Sequence, residues 1–335
     1  MLMIEEIEAA YDANEVLELP RHEVEAPPLP FRATFYPYGF PAEVRTNSQS
    51  VLRLYEAIWG EFEKQHDRDA IEVEVQLVET SSTQCPPQPT YRLMLPLMMC
   101  VADMDNYSVV DLDRCRVKIT VSRSALRHPL YAQYFILGTP VCCIATRYAT
   151  PVHAGCVALD GRGVLLCGDS GAGKSILSYA CARAGWTYVC DDGSYLLNGG
   201  SKRMVTGNCY QVRFRPTAAD LFPELRGMEI TPRAAGKPSI ELQTAPMRKI
   251  KRAQTTRADF IVFLNRRRSS PPQLVPFRRD VARHFMRQTL YGSAESLSMQ
   301  YAAIENLLVA PIFELHYDDA NWAIDRLRKL VETGQ

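Results

Sequence analysis

Residues 168–175 read Gly168-Asp169-Ser170-Gly171-Ala172-Gly173-Lys174-Ser175, and Asp191-Asp192 follow one short helix later. The octapeptide matches the phosphate-binding pattern G-x-x-x-x-G-K-[ST] in full. Glycines at these positions let a backbone curl around phosphate oxygens where a Cβ would clash. In such a loop Lys174 meets the β- and γ-phosphates and the Ser175 hydroxyl holds Mg²⁺. Adjacent carboxylates point in different directions, so Asp191 and Asp192 can divide two tasks. One holds Mg²⁺ and the other accepts the proton of an attacking hydroxyl. His153 precedes the loop and would partner a catalytic aspartate or a phosphate oxygen.

These residues need particular elements around them. Gly163–Cys167 (GVLLC) reads as a buried strand and Ile176–Trp186 as a helix, so the loop lies where a strand feeds a helix N-terminus. Thr187–Cys190 is a short buried strand that ends at the aspartate pair. Ligands of open α/β sheets gather at the C-terminal ends of strands, which brings the pair beside the loop. Val152–Leu159 reads as one further strand, with His153 at its start, and Asp160-Gly161-Arg162-Gly163 as the turn after it. Val205–Phe214, Ser239–Leu242, Ala258–Leu264 and Phe313–Tyr317 read as strands. Asn198-Gly199-Gly200 marks a hairpin turn and Arg266-Arg267-Arg268 a basic turn. Residues 278–309 read as helical, and Ala320–Val331 as a closing amphipathic helix.

Upstream, residues 1–30 form an acidic lead-in that ends in Ala26-Pro27-Pro28-Leu29-Pro30. Residues 31–150 read as an α+β segment. Val51, Tyr55, Ile58 and Phe62 recur at helical spacing behind an Asn47-Ser48 cap. Ile71–Leu77 and Val117–Val121 alternate as half-buried strands, and Ser81–Pro89 is a loop. No catalytic constellation stands out here, so the segment reads as a scaffold or a partner-recognition unit. Residues 151–335 form the third unit.

A formal net charge of zero over 335 residues gives no electrostatic capture of nucleic acid or anionic membrane. No apolar stretch is long enough for a membrane span, and the acidic start is not a secretory signal. Ten cysteines without a C-x-x-C pair read as small hydrophobes in a reducing cytoplasm.

The stretch His153–Tyr195 resembles the catalytic core of bacterial HPr kinase/phosphorylase and of the broader HPr kinase-like proteins. The likeness rests on the His and small-residue strand start, the GDSGAGKS loop and an aspartate pair unusually soon after it. It is similar to the nucleotide core of phosphoenolpyruvate carboxykinase as well. The resemblance implies an α/β fold in which a P-loop domain with a mixed sheet and flanking helices follows an α+β domain. It implies nucleotide binding by Gly168–Ser175, with Ser175 and Asp192 on Mg²⁺ and Asp191 as the favoured base. His153 would assist the phosphate or the base. It further implies a homo-oligomer formed through the catalytic domain.

Gln211–Pro216 and Gly236-Lys237-Pro238-Ser239 look like features of the same relatives. Glu224-Leu225-Arg226-Gly227 begins like a signature of true HPr kinases, but Met228-Glu229 depart from it, and no phosphorylase segment is evident near the C-terminus. The reaction expected is ATP- and Mg²⁺-dependent transfer to a hydroxyl, with little reversal. The acceptor is a protein serine or a small hydroxylated metabolite. The competing reading is a nucleotide-binding regulator with little turnover, which would need the loop but no base.

Overall fold

The computed structural model describes residues 9, 12–13, 28–199, 202–231, 238–266 and 271–334. Most of the acidic lead-in, Gly236-Lys237 and Arg267-Arg268 lie outside the described residues. The architecture is mixed α/β, with two large mixed sheets.

The first sheet holds β1 (Phe31–Phe35), β2 (Ala42–Thr46), β3 (Ile71–Val78), β4 (Thr90–Met94), β5 (Leu97–Asp103), β6 (Asn106–Asp111) and β7 (Arg116–Ser122), in the order β1-β2-β3-β7-β6-β5-β4. In β3 the alternation is strict, with Ile71, Val73, Val75 and Leu77 buried. Its apolar face packs on α1 (Gln49–Trp59), whose Val51, Tyr55 and Trp59 face inward. Helix α1 stops at Trp59, so Phe62 reaches the same core from the loop beyond it. Ser48 takes the cap position without a side-chain cap bond. Short helical pieces between Arg123 and Tyr148 lead to the second sheet.

That sheet comprises β8 (Ala149–Val152), β9 (Ala154–Leu159), β10 (Arg162–Cys167), β11 (Thr187–Cys190), β12 (Ser194–Leu197), β13 (Met204–Gly207), β16 (Lys251–Arg252), β17 (Thr255–Asn265), β18 (Gln273–Pro276) and β19 (Ile312–His316). A separate two-stranded ladder pairs β14 (Gln211–Phe214) with β15 (Ile240–Gln243). Four helices complete this part: α2 (Lys174–Arg183), α3 (Arg279–Arg287), α4 (Ala294–Leu307) and α5 (Ala320–Thr333). Apolar side chains fill both faces of the sheet. Helices α3 and α4 cover one face, and α2 and α5 the other.

Three expected elements divide. The strand expected over Val152–Leu159 breaks at His153, because β8 pairs with β12 while β9 pairs with β10 and β11. The strand expected over Val205–Phe214 is two, β13 and β14, which belong to different sheets. The helix expected over 278–309 splits at Gly292, where φ is +138° and Ser293 caps α4 through the Ser296 N–H. The hairpin at Asn198-Gly199 joins β12 to β13, with residues 200–201 of the turn outside the described residues. Among the described residues no helix is long and apolar enough to cross a membrane, and the ten cysteines are free thiols.

Candidate functional site

Strand directions bring the chemistry to one edge. Strand β9 runs antiparallel to both β10 and β11, so those two point the same way. Cys167, the last residue of β10, pairs with Ala154, and Cys190, the last of β11, pairs with Cys156. The glycine loop, the aspartate pair and His153 therefore leave the sheet at the same edge. Gly155 permits the close approach, since a Cβ there would lie 2.5 Å from Ser178 Oγ on α2 and 2.8 Å from the Asp191 carbonyl oxygen.

The loop turns tightly before α2. The Ala172 N–H donates to the Asp169 carbonyl (3.1 Å), and α2 begins at Lys174 behind Gly173 in a left-handed conformation, φ +99°. A Cβ on Gly173 would meet Tyr317 Oη at 2.7 Å. That hydroxyl donates to the Ala172 carbonyl (3.2 Å) and holds the loop from beneath. Tyr317 has no signal in the sequence pattern beyond closing the expected last strand, which in the structure ends one residue earlier, at His316.

Lys174 is 4% exposed and is held by four neighbours. Its ammonium donates to the carbonyls of Gly168 (2.8 Å) and Asp169 (3.2 Å) and to His153 Nε2 (2.8 Å), and lies 3.2 Å from Asp192 Oδ1. His153 Nε2 is 3.6 Å from the same carboxylate oxygen. Burial lowers the His153 pKa and the Lys174 charge adds to the effect, while Asp192 opposes it. The imidazole is thus neutral at neutral pH, free to accept from Lys174 through Nε2.

The two aspartates have different neighbours. Asp191 is buried, accepts the Arg213 N–H at 2.9 Å and lines the same cavity as Ser175. Burial pushes its carboxyl up to about 6, against the pull of the Arg213 N–H. Asp192 is half exposed and stands with Lys174 and His153. The two carboxylates thus stand in different surroundings; the resemblance favoured Asp191 for the proton and put Asp192 with Ser175 on the metal.

His153, Lys174, Ser175, Asp191 and Asp192 line one cavity of about 620 Å³, with Ser170, Gly171 and Gly173 of the loop; Gly168, Asp169 and Ala172 do not line it. Ser170, Arg215 and Arg266 wall its loop end, where Arg215 Nη2 reaches Ser170 Oγ (3.5 Å). Tyr195, Asn208 and Gln211 line the same cavity, with Tyr38 from the first sheet's segment. Nothing in residues 31–150 had marked Tyr38 as part of a site.

The arrangement fits phosphates and a hard cation. The loop turns through three glycines of positive φ, Gly168, Gly171 and Gly173, and a buried ammonium is bonded to its carbonyls. Among the described residues no cluster of three or more His, Cys, Asp or Glu forms a ready cation cage. A site with one hydroxyl and one or two carboxylates suits Mg²⁺ held jointly with substrate phosphates.

No family model matches the chain, and neither does any curated protein. Among solved structures, the Hpr(Ser) kinase/phosphatase from Coxiella burnetii is similar at 14% identity and a TM-score of 0.32, over 55% of this chain and 98% of that one.

Proposed function

We propose that the chain is an ATP- and Mg²⁺-dependent kinase of HPr kinase-like type that phosphorylates a hydroxyl. The supporting organisation is an acidic lead-in over 1–30, a first unit over 31–150 and a catalytic P-loop unit over 151–335. The observation that carries the reading is the convergence of Lys174, Ser175, Asp191, Asp192 and His153 on one cavity, built around a full phosphate-loop motif. A loop that served only to bind nucleotide would have no use for a half-exposed carboxylate beside the γ-phosphate position.

In this reading the backbone N–H groups at the start of α2 and the Lys174 ammonium hold the β- and γ-phosphates. When bound, Mg²⁺ neutralises developing charge on the phosphates. Ser175 and its neighbour Asp191 would hold it, as a phosphate-loop serine and a strand-end aspartate do together in other P-loop enzymes. Asp192 takes the proton of the acceptor hydroxyl as its oxygen bonds to the γ-phosphorus and the bond to the β-phosphate oxygen breaks. Neutral His153 holds Lys174 and Asp192 in register.

The experiment is incubation of the full chain with Mg²⁺ and γ-labelled ATP in the presence of fractionated lysate. Transfer of label to a hydroxyl supports the kinase. Tight Mg·ATP binding with no transfer to any fraction favours a regulatory nucleotide binder instead.

A further inference from the structure

We propose that residues 3–13 of the acidic lead-in seat on the open face of the first sheet, over strands β4, β5 and β6. This surface is independent of the kinase reading. On one side of the sheet, inward residues such as Val44, Val73, Val110 and Val117 share a core with α1 and the helical pieces between Arg123 and Tyr148. The other side has two halves. Over β2, β3 and β7 it is charged and paired within itself: Arg45 with Glu74 (3.0 Å), Lys118 with Glu74 (3.6 Å) and Arg116 with Glu72 (3.1 Å).

Over β4, β5 and β6 the same side is apolar. Met94 lies opposite Leu97, Met99 opposite Val109 and Val101 opposite Tyr107. None of these six joins the core behind the sheet. Met94 is 70% exposed, and Met99, Val101 and Tyr107 are 39% exposed each. The solvated face of a sheet ordinarily carries polar side chains, and an apolar patch rimmed by polar groups marks a contact surface. Arg92 stands on the same face opposite Met99. Its guanidinium donates to the Tyr91 carbonyl (2.9 Å) and joins no ion pair among the described residues. A fitting occupant is therefore both apolar and acidic.

The lead-in has that chemistry. Residues 1–19 hold six acidic side chains and no Lys or Arg. At helical period Ile4, Ile7 and Tyr11 form one stripe, with Met3 at its margin. The described residues of this stretch, Ala9, Asp12 and Ala13, are helical and exposed, and they fall on the side away from that stripe.

Length and register suit it as well. The chain enters β1 at Phe31, whose row across the sheet runs through Thr46, Val75 and Ile119 to Ser108, next to Tyr107. Four strand spacings separate β1 from β6 and six separate it from β4, about 19 and 29 Å. Residues 20–30, extended, reach about 36 Å. Residues 3–13 as a helix cover about 17 Å, the length of a five-residue strand. The patch measures roughly 300 Å² in plan from strand spacing and rise. Each partner of a stable dimer buries about 800 Å², so one helix suits the patch better than a second copy.

The test is hydrogen exchange on the full chain, read by mass over residues 3–13, beside a synthetic peptide of residues 1–19. We expect exchange about tenfold slower in the chain than in the peptide, at a rate independent of protein concentration. Met99→Glu and Arg92→Glu should each return it to the peptide rate, with an unfolding temperature close to the parent's. Exchange as fast as in the peptide, or slow exchange that survives both substitutions, overturns the seating. Slow exchange that appears only as concentration rises, with a doubled mass, places a second copy on the patch and overturns it equally. If Met99→Glu unfolds the sheet, Arg92→Glu carries the comparison alone.

Discussion

Lys174 Nζ donates to His153 Nε2 across 2.8 Å while standing 3.2 Å from Asp192 Oδ1. The ammonium is thus tied to the residue before β9 and to the second residue past β11, as well as to its own loop. Phosphate oxygens would replace the loop carbonyls as its partners. Charged hydrogen bonds contribute roughly 1.5–3 kcal/mol each. Lys174→Ala should therefore weaken Mg·ATP binding by about 10–100-fold or more and abolish transfer. Calorimetry showing wild-type affinity would remove the phosphate-loop assignment.

Asp191→Asn and Asp192→Asn should differ in kind. With Ser175 beside Asp191, its variant should lose the Mg²⁺-dependent part of ATP affinity. With Lys174 and His153 beside Asp192, its variant should bind Mg·ATP and lose turnover by about 10²–10⁴-fold, the usual contribution of a general base. ATP titrations with and without Mg²⁺, set beside single-turnover rates, separate the two. The reverse pattern would restore the division implied by the resemblance.

Much of this site was legible because its residues carry chemistry at fixed spacing. The glycine loop needs its glycines whatever surrounds it, and a strand ending in Asp191-Asp192 needs only local periodicity to be seen. What stayed hidden depends on partners far away in the chain. Tyr38 looks like any surface tyrosine until β13 supplies Thr206 to its carbonyl, 168 residues on. The break at His153 is set by β12 pairing with β8, and an apolar run through 152–159 gives no hint of it. The different surroundings of the two aspartates are likewise set by distant segments, with Arg213 beside Asp191 and Lys174 and His153 beside Asp192.

Gly155→Ala tests the packing that brings the edge together. Its Cβ would fall on Ser178 Oγ and on the Asp191 backbone, so β9 must shift away from α2 or from the end of β11. Overpacking of this kind costs about 1–3 kcal/mol. We expect a lower unfolding temperature together with slower transfer, because the displaced atom belongs to the aspartate pair. A destabilised variant with unimpaired turnover would show that the position of Asp191 tolerates such a shift.

The raised Asp191 carboxyl gives a pH dependence with a definite sign. Burial is the main cause, and it disfavours the ionised form in the folded chain. Folding is thus most favoured below the carboxyl's unfolded value near 4, and that contribution is lost as pH rises through about 6. The loss is about 3 kcal/mol at most. Asp191→Asn keeps an acceptor for the Arg213 N–H but carries no charge. It should therefore unfold at a higher temperature than the parent at pH 7 and at the same temperature near pH 4. Metal binding runs the other way, since a ligand carboxylate must be ionised. Mg²⁺-dependent ATP affinity should fall about tenfold per unit below pH 6, and binding near pH 6 should release about half a proton from this carboxyl that binding at pH 8 does not. Calorimetry in buffers of different ionisation enthalpy reads that proton directly. Equal proton release at both pH values, with Asp191→Asn less stable than the parent at pH 7, would mean that the carboxyl is already ionised in the folded chain and that burial does not govern it.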